Sequence, residues 1–149
     1  MNYTAKLDAA IASVKSNVIV GLDIDPDKIP AIFHKFSNPA LEFNRMVIEA
    51  TKHHVAGYKL NMAFYEYLEE KGLDAIRGAL AEIPDNRIKI CDAKRGDISN
   101  TSELYARTYF DKYGFDSLTV NAYMGKDSLE PFFQRSGKLI YILALTSNE

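Results

Sequence analysis

The residues of this chain that could do chemistry gather in short clusters just after apolar runs. Asp92 and Lys94 stand two apart in Asp92-Ala93-Lys94-Arg95-Gly96-Asp97-Ile98, and Asp97 follows three residues later. On an extended backbone the side chains at i and i+2 project to the same side, so a carboxylate and an ammonium would sit side by side. Other runs end in the same way: Asp23 and Asp25 after the first, Lys59 and Asn61 after the second, Asn121 after the fourth, Thr146 and Ser147 after the fifth. Alternating cations and anions can fix one another without water. Such a set makes a lysine a placed proton donor, or an aspartate a fixed negative charge aimed at a substrate group. Taken alone, Asp92 and Lys94 equally fit an ordinary ion pair at a loop, since strand ends often carry solvated charges.

The elements that must position these residues alternate along the chain. Residues 4–15 place Leu7, Ala10, Ile11 and Val14 at helical spacing, with Thr4 as N-cap. Residues 17–23 form a β-branched run stopped by acidic residues and proline, the pattern of a strand buried on both faces. Asn38-Pro39 starts a helix, because an Asn cap satisfies one free amide and proline at the first position removes another. The alternation continues with strands over 55–60 and 88–92 and helices over 63–81 and 100–113, the last ended by Gly114. Strand-like segments at 117–121 and 139–145 flank a short helix at 127–135.

Regular β-then-α order implies parallel strands with right-handed crossovers, and in such folds the loops at the carboxyl ends of the strands build the ligand site. Two architectures fit five strands. A closed (β/α)8 barrel usually needs about 250 residues, and an open doubly wound sheet needs fewer. Length favours the open sheet, whereas the chemistry favours the barrel.

Bulk properties narrow the setting. With 149 residues, 47% hydrophobic content and a net charge of −2, one domain with its own core is expected, and no polyanionic partner is indicated. No basic cluster marks a nucleic-acid surface and no apolar run approaches the roughly 20 residues of a membrane span. The single Cys91 cannot form an internal disulfide, and a cytoplasmic location follows as the default expectation.

The run Asp92-x-Lys94-x-x-Asp97-Ile98, after an apolar strand and before a helix, resembles the active-site signature of the orotidine 5'-monophosphate decarboxylase family. Gly21-Leu22-Asp23 is similar to that family's first-strand aspartate, Gly57-Tyr58-Lys59-Leu60-Asn61 to its second-strand lysine, and Leu145-Thr146-Ser147 to the serine-bearing end of its fifth strand. All lie in family order, and the forms around Asp25-Pro26 and Arg95-Gly96 suggest its longer bacterial branch.

The resemblance implies a (β/α)8 TIM-barrel fold of which about the first five β/α units are present, residues 1–149 being a single domain and the N-terminal part of a longer enzyme. It also implies decarboxylation of orotidine 5'-monophosphate to uridine 5'-monophosphate, with no cofactor and no metal. Lys94 would protonate the ring carbanion, and Asp92 would sit near the departing carboxylate. Lys59 would join the charge network and the ribose site, Asp23 would accept from a ribose hydroxyl, and Ser147 would read the pyrimidine edge. Asp97 and Thr101 would reach across a homodimer interface into the neighbouring site. The family's phosphate grip uses loops after later strands. Two alternatives stand beside this reading: a magnesium-dependent sugar-phosphate decarboxylase or synthase of the same superfamily, and a catalytically silent fragment or nucleotide-binding module.

The remaining polar residues have simpler readings. The Asp23 to Asp27 stretch lacks the glycine and glutamate spacing of a calcium loop. His53 and His54 end a helix, where a cation suits the dipole. Cys91 reads as a small buried residue, and Tyr65, Tyr67, Tyr105 and Tyr109 as helical packing residues.

Overall fold

The computed structural model describes residues 2–146, which form five parallel strands and six α-helices in alternation. The strands are β1 (Ile19–Gly21), β2 (Gly57–Asn61), β3 (Ile88–Arg95), β4 (Ser117–Val120) and β5 (Leu139–Ile142). The helices are α1 (Tyr3–Val14), α2 (Pro39–Thr51), α3 (Met62–Tyr67), α4 (Glu69–Glu82), α5 (Ser99–Ala106) and α6 (Lys126–Phe133).

The order of strands across the sheet is their order in the chain, β1-β2-β3-β4-β5, with every neighbouring pair parallel. A doubly wound sheet reverses its winding at a switch point, and this sheet has none. Right-handed crossovers that always step the same way place their helices on one face and curl the sheet, which is the construction of a (β/α)8 barrel. The open-sheet expectation raised by chain length is therefore set aside.

The two faces differ in what covers them. Tyr58, Leu60, Cys91, Leu118 and Val120 alternate onto one face and share a core with residues of α2, α4 and α6, including Ile48, Ile76, Ala79 and Phe132. Ile88 and Ile90 alternate onto the other, where, among the described residues, Tyr3 and Leu7 of α1 pack with them beside Ile19 and Leu139. Each large aliphatic side chain buried in this way contributes about 1.5–3 kcal/mol, so the helical face carries most of the stability. On the inner face the Tyr3 hydroxyl of α1 lies 3.0 Å from the Tyr141 hydroxyl of β5.

Three local expectations are corrected. The cap of α1 is Asn2, whose side chain accepts from the Ala5 amide at 2.9 Å, so the cap lies two residues earlier than the predicted Thr4 and Tyr3 enters the inner core. The single helix expected over 63–81 is two, broken at Leu68 and Glu69, where Glu69 takes φ 53°. Gly72 explains how the break is tolerated, since a Cβ there would lie 1.7 Å from the Tyr65 carbonyl oxygen. Only glycine lets α4 turn so closely over α3. Finally, the helix after β3 is α-helical only to Ala106 and continues as a π-helical segment, Arg107–Lys112, before Gly114 at φ 74° ends it as expected.

Candidate active site

Asp23 leaves the end of β1 on an anchored backbone. The Leu22 amide donates to the Lys59 carbonyl at 2.8 Å, and the fully buried Tyr65 hydroxyl donates to the Leu22 carbonyl at 2.7 Å. Asn44, also fully buried, donates in turn to the Tyr65 hydroxyl at 3.1 Å. These bonds leave the Asp23 side chain as the part of its segment free to face the strand ends.

Four charged side chains then meet in sequence. Lys59 Nζ lies 3.3 Å from both carboxylate oxygens of Asp23 and 3.9 Å from Oδ2 of Asp92. Lys94 Nζ donates to Oδ1 of Asp92 at 2.6 Å. The row reads Asp23, Lys59, Asp92, Lys94, alternating in sign and drawn from β1, β2 and β3. Asp92 is its enclosed member, with 14% of its side chain exposed against 50% for Lys94. Partial burial pushes the Asp92 carboxyl up, but the Lys94 ammonium, the Thr119 hydroxyl and the more distant Lys59 outweigh it and hold the group below the usual carboxylate range.

The pairing of Asp92 with Lys94 does not come from the regular alternation expected of an extended strand. Cys91 pairs with Leu118 and Arg95 with Val120, so Asp92, Ala93 and Lys94 together face the single residue Thr119. This is a β-bulge, and Lys94 lies within it at φ 52°. A left-handed lysine costs roughly 1–2 kcal/mol. An ion pair with a half-exposed ammonium returns only about 0–1 kcal/mol, so the pair does not by itself stabilise the distortion. Strain of this kind, kept in place by its surroundings, is a mark of functional sites.

Thr119 is the residue that sequence reasoning missed. Its hydroxyl accepts from the Lys94 amide at 3.0 Å and donates to Oδ1 of Asp92 at 2.9 Å, joining the bulge backbone to the carboxylate. The signal was present: Ser117, Thr119 and Asn121 alternate with apolar residues and so share the face that bears Asp92.

Among the described residues, Asp97 and Thr101 make no hydrogen bond or ion pair with the row. Asp97 Oδ1 accepts from the Ile98 amide at 2.7 Å, and its main chain exchanges bonds with the Ser102 hydroxyl at 3.1 and 2.9 Å. Thr101 occupies the first turn of α5, its amide donating to the Ile98 carbonyl. Ser147 lies outside the described residues. Asn61 is occupied as the cap of α3, accepting from the Ala63 amide, and Asn121 accepts from the Tyr123 amide in the loop after β4. Asp25 likewise accepts from the Asp27 amide and pairs with Lys28 at 2.7 Å. Among the described residues no group of three or more His, Cys, Asp or Glu could hold a metal ion, and no helix is long and apolar enough to cross a membrane. A cleft of about 610 Å³ bordered by Ser99, Lys126, Asp127, Glu130, Pro131 and Gln134 lies between α5 and α6 and includes no member of the charged row.

A parallel sheet wound in one direction, with an alternating Asp/Lys row at the carboxyl ends of its strands, defines a chain of the (β/α)8 class whose ligand face is the strand-end rim. Residues 16–149 match the model of the orotidine 5'-phosphate decarboxylase / HUMPS family, and the chain belongs to that family. It is 48% identical over 149 residues to the orotidine 5'-phosphate decarboxylase of Dehalococcoides mccartyi (strain BAV1), an alignment covering 100% of this chain and 53% of that protein. A crystal structure attributed to an orotidine-monophosphate-decarboxylase of Toxoplasma gondii superposes with a TM-score of 0.91 at 38% identity, covering 99% of this chain and 50% of the other. The OMP decarboxylase of Leishmania donovani gives 0.85 at 32% identity, covering 100% and 56%. The chain thus spans about half the length of the curated relatives it matches.

Proposed function

We propose that this chain carries the proton-transfer site of an orotidine 5'-monophosphate decarboxylase, which converts orotidine 5'-monophosphate to uridine 5'-monophosphate and CO2 in the synthesis of pyrimidine nucleotides. The observation that carries the reading is the enclosed Asp92 carboxylate with Lys94 Nζ 2.6 Å away and Lys59 on its other side. A substrate carboxylate placed beside Asp92 meets a fixed negative charge, and that repulsion disappears when the bond from ring carbon C6 to the carboxylate breaks and CO2 leaves. The electron pair stays on C6, where the Lys94 ammonium stabilises it and then supplies the proton. Lys94 regains its proton from solvent. No cofactor or metal enters the steps assigned to these residues.

Lys59 holds Asp92 from the second side and reaches the ribose, and Asp23 accepts from a ribose hydroxyl. Ser147 reads the pyrimidine edge. Asp97 and Thr101 serve the neighbouring site of a homodimer, a role supported by their making no hydrogen bond or ion pair with the charged row of their own chain among the described residues. In this reading residues 1–149 are one domain, the N-terminal part of a (β/α)8 barrel acting on a nucleotide in the cytoplasm.

The test is to follow loss of orotate absorbance when the protein meets orotidine 5'-monophosphate, with and without a chelator and beside Lys94→Ala. Turnover indifferent to chelator and abolished by Lys94→Ala is expected. A Lys94→Ala variant as fast as its parent sinks the mechanism, and turnover that stops with chelator points to a metal-dependent relative.

A further inference from the structure

The bulge that shapes the site must be held by something, and the ion pair inside it is too weak to do so. Four residue steps separate Cys91 from Arg95 on β3, while only two separate their partners Leu118 and Val120 on β4. Extended, those lengths would be about 13 Å and about 7 Å, so close to 6 Å of chain must loop out between two fixed ends. One end is Cys91, fully buried under the helices. The other is Arg95.

Arg95 is fixed through both backbone and side chain. Its carbonyl accepts from the Asn121 amide at 2.8 Å. Its guanidinium donates to the Tyr109 hydroxyl through Nε at 3.1 Å and Nη2 at 2.9 Å, and pairs with Glu66 of α3. The Tyr105 and Tyr109 rings lie 5.1 and 5.7 Å from its Cζ, within the range of attraction between a cation and a ring face. Tyr109 belongs to the π-helical segment after α5, a geometry that recurs where a functional contact requires it. A planar fork with several donors suits this clamp in a way that a lysine ammonium does not.

We propose that Arg95 is a positioning residue: clamped by Glu66, Tyr105 and Tyr109, it locks the bulge of β3 and so holds Lys94 in the left-handed conformation that places its ammonium on Asp92. The inference deepens the decarboxylase reading, and its consequence for turnover rests on that reading. Its consequence for Asp92 does not.

The experiment compares the parent chain with Arg95→Met, Arg95→Lys and Tyr109→Phe, confirming folding by urea titration. The Asp92 carboxyl is followed by carbon NMR across pH, and kcat and KM for orotidine 5'-monophosphate are measured separately. In Arg95→Met the Asp92 pKa rises by about 1 unit as Lys94 leaves it. Its kcat falls about 10²-fold, as expected for a small misplacement at a reacting centre, while KM changes by no more than about threefold. Tyr109→Phe shifts both quantities in the same direction by less, and Arg95→Lys recovers part of the loss.

A folded Arg95→Met protein with unmoved Asp92 titration overturns the proposal, as does undiminished kcat in that variant beside an active parent. If Arg95→Met does not fold, Tyr109→Phe decides, and an unchanged Asp92 titration there overturns it equally. A shifted Asp92 in a protein whose parent does not turn over substrate supports the clamp independently of the decarboxylase reading. Turnover by the parent with Asp92 unmoved in the variants overturns the clamp and leaves that reading in place.

Discussion

Replacing Thr119 with valine removes one hydroxyl and little else, because the two side chains have nearly the same shape. In the parent that hydroxyl donates to the Asp92 carboxylate at 2.9 Å and accepts from the Lys94 amide at 3.0 Å. A hydrogen bond to a charged group contributes about 1.5–3 kcal/mol. Lys94 is exposed, so water can satisfy its amide in the variant, and the loss belongs mainly to Asp92. A destabilisation of about 1.5 kcal/mol at neutral pH is expected, which corresponds to a rise of about 1 unit in the Asp92 pKa. The sign with pH follows from the direction of the parent shift. Asp92 is held low in the folded protein, so its contribution is present above the unfolded carboxyl value of about 3.9 and is lost as pH falls through the lower folded value. Urea unfolding of parent and Thr119→Val at a series of pH values between 7 and 3 should show a gap that narrows below about pH 4, with Thr119→Ser close to the parent throughout. A gap that stays constant over that range would show that Thr119 acts through packing, and the proposed link from hydroxyl to carboxylate would be wrong.

Tyr65→Phe leaves the buried Leu22 carbonyl and the Asn44 amide group without their shared partner and should cost about 1–3 kcal/mol in urea unfolding. Gly96→Ala places a Cβ 2.4 Å from the Asn121 carbonyl oxygen, so the ends of β3 and β4 must separate, with a loss of about 1–3 kcal/mol visible as a lower unfolding midpoint. Burial pushes the Cys91 thiol well above its ordinary range, and a disulfide reagent should label it only at the rate of unfolding, with no fast native phase. Burial likewise pushes the Tyr109 hydroxyl up to about 12 against the opposing charge of Arg95. Its contribution to stability is intact below the ordinary tyrosine value near 10 and declines as pH rises toward 12, which ultraviolet titration of the phenolate would detect.

Much of the site was legible because each charged residue directly follows an apolar run, and parallel α/β folds bring such positions to one rim. Asp23, Lys59, Asp92 and Lys94 are joined there. The choice between barrel and open sheet was legible only through the family resemblance, since the two share the same order of elements and differ in which strands become neighbours, a matter of contacts far apart in sequence. The pairing of Asp92 with Lys94 was anticipated for a reason that does not apply: the bulge opposite Thr119 brings them together, and no local pattern announces a register change between two strands. Helix ends were misplaced where a neighbouring residue served better, as at Asn2, or where close packing at Gly72 broke a continuous periodicity. Asp97 shares the motif of Lys94 but not its surroundings, because the chain turns at Gly96 toward α5.

Sheet order and chain order coincide, and that has a consequence for how the site comes into being. Every strand after β1 pairs with the one synthesised just before it, so pairing within this sheet never waits for a distant segment and spans short stretches of chain. Asp23 can meet Lys59 once β2 has formed, whereas Asp92 and Lys94 adopt their final places only when Thr119 and the clamp around Arg95 arrive. A nascent chain on the ribosome would therefore complete the Asp23 end of the row first and the Lys94 end last. A lysine bent against its backbone preference is the piece most easily set by the latest contacts to form.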